Sequence, residues 1–145
     1  MAHVDCTDFV TEIAAPTETV FATMKDFRAW PSWTRAIERA WARSEGSWRK
    51  GFRFVMKTMV FAVPVPLTVD ELEENRLISW AAKNRLAQIT HRIEFEPLGP
   101  DRCRVRNHEF VEGPLGGLVG KLVGKRIDRL DRQWAADLAA HFAAA

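Results

Sequence analysis

The chain ends in a long segment with a helical apolar repeat, and this segment restricts the possible folds more than any other feature. From about residue 115 to residue 142 the apolar positions step by three and four, at Val119, Val123, Ile127, Leu130, Trp134 and Leu138. This spacing predicts one amphipathic helix with a single buried face. At ~1.5 Å per residue it would be roughly 40 Å long, enough to cross a whole small sheet. Gly116, Gly120 and Gly124 within it indicate close approach or local mobility.

The residues before this helix follow mainly the two-residue repeat of strands. A first strand is predicted from about Asp5 to Ala14, with apolar positions that include Cys6, Val10 and Ile13. Thr17 resembles the N-cap of a short helix that ends near Asp26, and residues 27–33 suit a second short helix or a turn. Strand periodicity then runs from 36 to 82, with a hairpin turn at 74–76, and two further strands span 89–95 and 103–111. Strands followed by one long helix predict an α+β fold.

The length and composition indicate one domain, residues 1–145, with a substantial core. No apolar run approaches the ~18 residues of a membrane span, and no signal-peptide pattern is present, so we expect no integral membrane segment and a cytoplasmic location. Lys121, Lys125, Arg126, Arg129 and Arg132 share one helix side. Without interleaved aromatic residues they indicate a solvated face and no nucleic-acid binding. No metal-ligand spacing occurs, and no metal or other cofactor is predicted.

His91 and Glu109 are polar positions on strand faces that are otherwise apolar. If residues 98–102 form the hairpin loop, His91 lies directly opposite Glu109, with Cβ atoms ~5 Å apart. A four-residue loop would instead turn Arg104 and Arg106 inward, which desolvation makes costly. A β-bulge could also rotate Glu109 to the surface. The pair is interpreted either as a satisfied buried contact or as an acid and base acting on a ligand.

Several segments of the chain resemble the START-like superfamily, in particular its polyketide cyclase/dehydrase and lipid-transport branch, which includes the Bet v 1 allergens. The segments are residues 13–21, Trp30 to Trp33, Leu77 to Trp80, 91–97 and 109–113. The resemblance implies a helix-grip fold, in which about seven antiparallel strands curve around the C-terminal helix. It also implies a cavity between sheet and helix that takes sterols, lipids, hormones, flavonoids or polyketides. It implies no catalytic residue, because the superfamily shares no strict catalytic signature.

We expect the cavity to be lined by inward strand positions, by the long helix and by one end of the short helices. The predicted ligand-binding residues are Met24, Trp33, Phe54, Met56, Thr58, Trp80, His91, Glu109, Leu130 and Trp134. Each apolar member could equally be plain core. Six tryptophans and nine phenylalanines, with no tyrosine, suit a wide and mostly dry interior. Entry is expected past the glycine-bearing start of the long helix and the Trp30–Trp33 segment.

The leading hypothesis is a protein that binds or carries a hydrophobic or amphipathic small molecule, such as a lipid, a polyketide or an isoprenoid-like compound. The alternative is a metal-free cyclase, aromatase or dehydratase in which His91 and Glu109 move protons. A third hypothesis is a protein-interaction module with a vestigial cavity. Ligand identity and oligomeric state, monomer or homodimer, stay open at this stage.

Overall fold

The alternating segments form seven strands that pair into one antiparallel sheet. The computed structural model describes residues 2–143, and for residue 2 it describes the backbone alone. The strands are β1 (Ala2–Ile13), β2 (Ile37–Ala42), β3 (Arg53–Thr58), β4 (Val65–Glu73), β5 (Leu77–Lys83), β6 (Gln88–Gly99) and β7 (Arg102–Gly113). Their order across the sheet is β1-β7-β6-β5-β4-β3-β2. Every neighbouring pair is antiparallel, as the family resemblance implied.

Three helical segments complete the fold. Two short ones follow β1, namely α1 (Thr17–Lys25) and a 3-10 helix (Phe27–Ser32), and the long α2 (Gly116–Ala143) follows β7. The curved sheet around one long C-terminal helix is the predicted α+β, helix-grip architecture, which is therefore confirmed. Among the described residues no helix has the length and apolarity needed to cross a bilayer.

The β6–β7 hairpin holds the predicted register with a different loop. His91 pairs with Glu109, as expected. The loop is only Pro100 and Asp101, however, because the strands continue to Gly99 and Arg102 and a bulge between Pro97 and Gly99 takes up the extra residue. The bulge lies between the turn and the His91–Glu109 pair, and by adding one residue to β6 it restores the register that a five-residue loop would have given.

One local prediction near the N-terminus was wrong, and a bulge in β1 was not anticipated. The N-cap of α1 is Pro16, and the Thr17 hydroxyl, now in the first turn, has no hydrogen-bond partner among the described residues. Val10 is 57% exposed, whereas Thr7 and Ile13 are buried. The cause is a register shift between Asp5 and Thr7, which moves the inward face of β1 to the odd-numbered positions after it.

Helix α2 buries its predicted stripe against the sheet and packs mainly on β1 and β7. Ile127, Leu130, Trp134 and Leu138 are buried, whereas all five basic residues of the predicted solvated face are exposed. Where α2 begins, Gly120 lies against Val4 of β1, and a Cβ on Gly120 would stand 2.8 Å from Val4 Cγ1. At this glycine the expected close approach is observed.

Gly120 and Gly124 form a matched pair for a stability test. Gly120→Ala should lower the free energy of unfolding by about 1–3 kcal/mol, because the stiff, β-branched Val4 must move. Gly124→Ala should raise it by about 0.5–1 kcal/mol, because its Cβ would lie 3.9 Å from Cys6 Sγ, an ordinary contact, and alanine favours the helix. Urea denaturation measures both values, and equal effects of the two changes would contradict this account.

One end of the interior, beneath the 3-10 helix, is filled by aromatic side chains. Trp30 is 0% exposed, and its ring lies 4.7 Å from that of Trp134 and 5.6 Å from that of Trp80. The other members of this cluster, in edge-on, tilted or stacked contact, are Phe27, Trp48, Phe52 and Phe54. At this end of the interior some of the aromatic side chains therefore form a packed core in place of the wide cavity expected from the sequence.

Candidate functional site

A cavity of about 170 Å³ lies between the central strands and α2, beyond the aromatic cluster. Strands β3 to β7 supply one wall and the middle of α2 supplies the other. Seven of its lining residues were predicted to bind ligand, namely Met56, Thr58, Trp80, His91, Glu109, Leu130 and Trp134. The periodicity arguments therefore identified the correct inner faces, although the contact of these residues with a ligand stays a prediction.

Three predicted lining residues lie outside this cavity. Phe54 is 0% exposed but is packed inside the aromatic cluster, one inward position from Met56. Met24 borders only a gap of about 10 Å³ at the other end of the interior. Trp33 is half-buried at the surface, where its ring lies 5.9 Å from that of His141. The short helices close the end that the aromatic rings already fill, so they do not reach the open space.

The polar end of the cavity is formed by three titratable side chains from three different elements. His91 on β6 places Nδ1 3.4 Å from Glu109 Oε1 on β7 and 3.9 Å from Asp131 Oδ1 on α2. The side chains of His91 and Asp131 are only 2% and 0% exposed, and that of Glu109 is 12% exposed. The predicted pairing of His91 with Glu109 is observed, and the bulge that could have turned Glu109 outward is absent at this position.

A hydrogen bond to Asn107 orients the His91 ring. Its Nε2 lies 2.9 Å from the Asn107 side-chain oxygen, the neighbouring inward position on β7. With that oxygen as acceptor, Nε2 donates its proton and Nδ1 is directed at the two carboxyl groups. The Trp80 and Trp134 rings pack edge-on against the imidazole, at centroid distances of 5.0 and 5.8 Å. The ring is therefore fixed by its neighbours and presents one nitrogen to the polar end of the cavity.

Asp131 is the site residue that sequence reasoning missed. No donor among the described residues gives a hydrogen bond to either carboxyl oxygen. Burial, followed by the neighbouring Glu109 charge, raises the pKa of Asp131 well above its ordinary value. Protonated Asp131 can donate its own proton to Glu109. A signal existed in the sequence, because position 131 is four residues after Ile127 and three before Trp134, both on the buried stripe.

The inner cavity borders an outer groove of about 500 Å³. Phe61, Val65, Ala82 and Ile89 line both spaces, so a passage between the two would lie at these residues. Around the groove stand exposed apolar side chains from three segments, namely Val63, Leu86 and Leu115. The expected entry past the start of the long helix agrees with this arrangement, whereas the Trp30–Trp33 segment lies at the closed end.

The loop between β3 and β4 covers this passage and is held by a lining residue. The buried Thr58 hydroxyl accepts hydrogen bonds from the backbone N–H groups of Phe61, at 3.2 Å, and Val60, at 3.4 Å. Thr58 therefore fixes the loop that carries Phe61 through the two acceptor positions of its hydroxyl oxygen, while its O–H group donates to no partner among the described residues.

Two clusters in the described part of the chain could hold a metal ion by geometry. One is His91, Glu109 and Asp131, and the other is the more exposed set His3, Asp5 and His108. In the second, both imidazoles approach the same Asp5 oxygen, at 2.9 and 2.8 Å, and these contacts lower the pKa of Asp5. Each cluster joins distant segments, since His108 lies on β7 and His3 and Asp5 on β1, so ligand spacing along the sequence did not reveal the full set.

The largest depression, of about 830 Å³, lies on the outer face of the sheet and is lined mainly by charged residues. Those charges pair with one another, for example Arg92 with Glu94 and Arg104 with Glu96. This surface is a network of exposed ion pairs, whereas the inner cavity combines an apolar lining with the buried Asp131 carboxyl, which has no hydrogen-bond partner among the described residues. The inner cavity is therefore the candidate site.

Solved structures of low sequence identity share this fold. A START superfamily protein from Mycobacterium smegmatis has a TM-score of 0.74 at 22% identity, covering 98% of this chain and 98% of that chain. Norcoclaurine synthase from Thalictrum flavum has a TM-score of 0.74 at 14% identity, over 98% and 87% of the chains. The Zhui aromatase/cyclase from a Streptomyces species gives 0.71 at 12%, over 98% and 93%. No sequence among the curated proteins matches.

A match to a family model identifies the family of this chain, which structural similarity at such low sequence identity does not. The model described as polyketide cyclase/dehydrase and lipid transport matches residues 3–143, nearly the whole chain. The match agrees with the curved sheet, the long C-terminal helix and the apolar cavity between them. This chain therefore belongs to the polyketide cyclase/dehydrase and lipid-transport family, within the START-like superfamily.

Proposed function

We propose that this protein binds a compact amphipathic molecule whose head enters the inner cavity and whose remainder lies in the outer groove. The observation that carries the proposal is an apolar cavity of about 170 Å³ with three titratable groups at one end. A dry cavity of about 150 Å³ is known to accept benzene, so the head is about the size of one ring. Lipids and multi-ring polyketides, the broader expectation from sequence, exceed the inner space and would extend into the groove.

The first test is one of ligand size. Toluene should bind, and naphthalene should bind at least about tenfold more weakly, because its rigid second ring, unlike a narrow chain, could enter the passage only by rearrangement of a close-packed interior. Ala82→Phe, which fills the passage between cavity and groove, should abolish toluene binding. Ala136→Phe, the same change at an exposed position of α2, serves as the matched control. Calorimetric titration measures all four combinations of ligand and variant against the wild-type protein.

Two results would contradict the proposal. Toluene binding that is unchanged in Ala82→Phe would place the ligand elsewhere. A folded wild-type protein that binds neither hydrocarbon would show that the cavity does not admit guests. Native mass spectrometry of the freshly purified protein, followed by extraction, adds the identity of any small molecule that copurifies.

A second candidate function is acid–base catalysis in the same cavity. The observation in its favour is the convergence of His91, Glu109 and Asp131 at the end of a space that admits a ligand. Two of the solved structures of the same fold are named as enzymes, a norcoclaurine synthase and an aromatase/cyclase. An enzyme would return an altered molecule, and turnover should fall in His91→Ala and Glu109→Gln. Unchanged turnover in both variants would exclude these side chains as acid and base.

A further inference from the structure

The polar end of the inner cavity carries an excess of acidic groups. Glu109 and Asp131 both line it, and among the described residues no lysine or arginine does. The one basic side chain is His91, with Nδ1 directed at both carboxyl groups. From this arrangement we infer that the site selects a protonated amine attached to a body of about one aromatic ring. The inference rests on the binding function proposed above and names the chemical class of its ligand.

The unpartnered Asp131 carboxyl is the observation that points to a cation. Both of its oxygens are buried and receive no hydrogen bond from the described protein groups. Glu109 contributes a second acceptor group, and the ligating atoms of all three side chains lie within 4.8 Å of one another. An ammonium group carries three N–H donors and one positive charge. It can therefore bond to both carboxyl groups and neutralise the charge that otherwise makes burial of the second carboxylate unfavourable.

The walls next to these carboxyl groups suit the rest of such a ligand. Trp80 and Trp134 line the cavity beside His91, and the face of an indole ring attracts a cation. The remaining lining is aliphatic or aromatic apart from Thr58, whose hydroxyl already holds a loop. The cavity thus offers a position for a cationic group at its polar end and, next to it, apolar space for one ring.

Binding of the ammonium ion releases a proton. Burial and the neighbouring Glu109 charge raise the pKa of Asp131 and so favour its protonated form in the free protein. The groups that face it are His91 from β6, Glu109 from β7 and Cys6 from β1, with Asp128 on its own helix. An amine that enters as its ammonium ion displaces this proton, which leaves to solvent, so one proton is released per ligand bound. Affinity should then rise about tenfold per pH unit while Asp131 is protonated in the free protein and the amine is charged.

The test compares three ligands that share one ring, namely benzylamine, benzyl alcohol and toluene. Benzylamine should bind the wild-type protein at least about tenfold more tightly than benzyl alcohol. Titration in two buffers of different ionisation enthalpy should show one proton released with benzylamine and none with toluene. Asp131→Asn should remove both the preference for benzylamine and the proton release. Glu109→Gln should reduce both. Asp101→Asn, which removes a carboxylate from the exposed β6–β7 loop, should change neither.

Several outcomes would overturn the inference and leave the proposed binding function standing. One is toluene binding without any preference for the amine. Another is a preference that persists in Asp131→Asn. A third is tight binding of Zn²⁺ or Mn²⁺ that is lost in Asp131→Asn while the amine shows no preference, since the acidic groups would then serve a metal ion. Failure of toluene and benzyl alcohol to bind at all would instead remove the proposed function itself.

Discussion

Replacing Trp30 with alanine should lower the free energy of unfolding by about 3–5 kcal/mol, the largest loss expected from any single change considered for this chain. Trp30 is 0% exposed and is surrounded by rings of the aromatic cluster. Its indole N–H also donates to the Met24 carbonyl at 3.0 Å, so the variant leaves a buried acceptor without its donor. Against a typical total of about 5–15 kcal/mol, this loss is large enough to unfold a marginal domain.

Trp33→Ala is the matched control, because it removes the same side chain three residues away. Trp33 is half-buried at the end of the 3-10 helix, and we expect a loss of only about 1–1.5 kcal/mol from its partial burial. Urea denaturation gives both values. Indole should restore part of the stability of Trp30→Ala, since it can occupy the space left by the side chain, and should not affect Trp33→Ala. Similar losses in the two variants would show that the cluster around Trp30 is not the centre of the core.

The fold could be predicted because its determinants are local and repeat along the chain. Alternation in β6 and β7 fixes which side chains point inward, and the cost of turning Arg104 and Arg106 into the core selects one register. The alternation pattern did not show the two places where one residue is added to a strand. The shift between Asp5 and Thr7 exposes Val10, and the bulge near Pro97 shortens the final hairpin loop. Bulges depend on how neighbouring strands twist, which a single segment does not specify.

The candidate site was only partly predictable, for a different reason. The inward positions of the strands and the helix follow from the spacing of apolar residues along the sequence. The volume between them depends on the packing of large side chains that come from distant segments. Trp48, in a loop before β3, lies against Phe27 and Phe54 and fills space that the strand pattern alone leaves open. Asp131 went unnoticed because a carboxylate beside a helical stripe is usually solvated. Its full burial comes from the position of α2 across β7, where Glu109 lies.

Asp131→Asn should remove a pH dependence of stability that the wild-type protein shows. Below the ordinary aspartate pKa of 3.8 both the folded and unfolded states hold this proton. Above it the unfolded chain releases the proton, whereas the native state keeps it, because burial and then the Glu109 charge raise the pKa of Asp131 in the folded protein. The free energy of unfolding should therefore fall by about 1.4 kcal/mol per pH unit until the native pKa is reached. The amide cannot ionise, so the stability gap in favour of the variant should widen with pH at this rate.

Denaturation at several pH values between 2 and 8 measures this gap, and Asp5→Asn is its control of opposite sign. Hydrogen bonds from His108 and His3 lower the pKa of Asp5 in the folded protein, so its ionised form adds stability above the ordinary pKa of 3.8, and this stability is lost as pH falls through the lowered value. Asp5→Asn should therefore lose stability relative to wild type as pH rises towards 3.8, and the difference should stay constant at higher pH. A constant difference between Asp131→Asn and wild type across the range would mean that Asp131 is ionised in the native state. Asp131 would then hold no proton for an ammonium ion to displace, and the proton release expected with benzylamine would not occur.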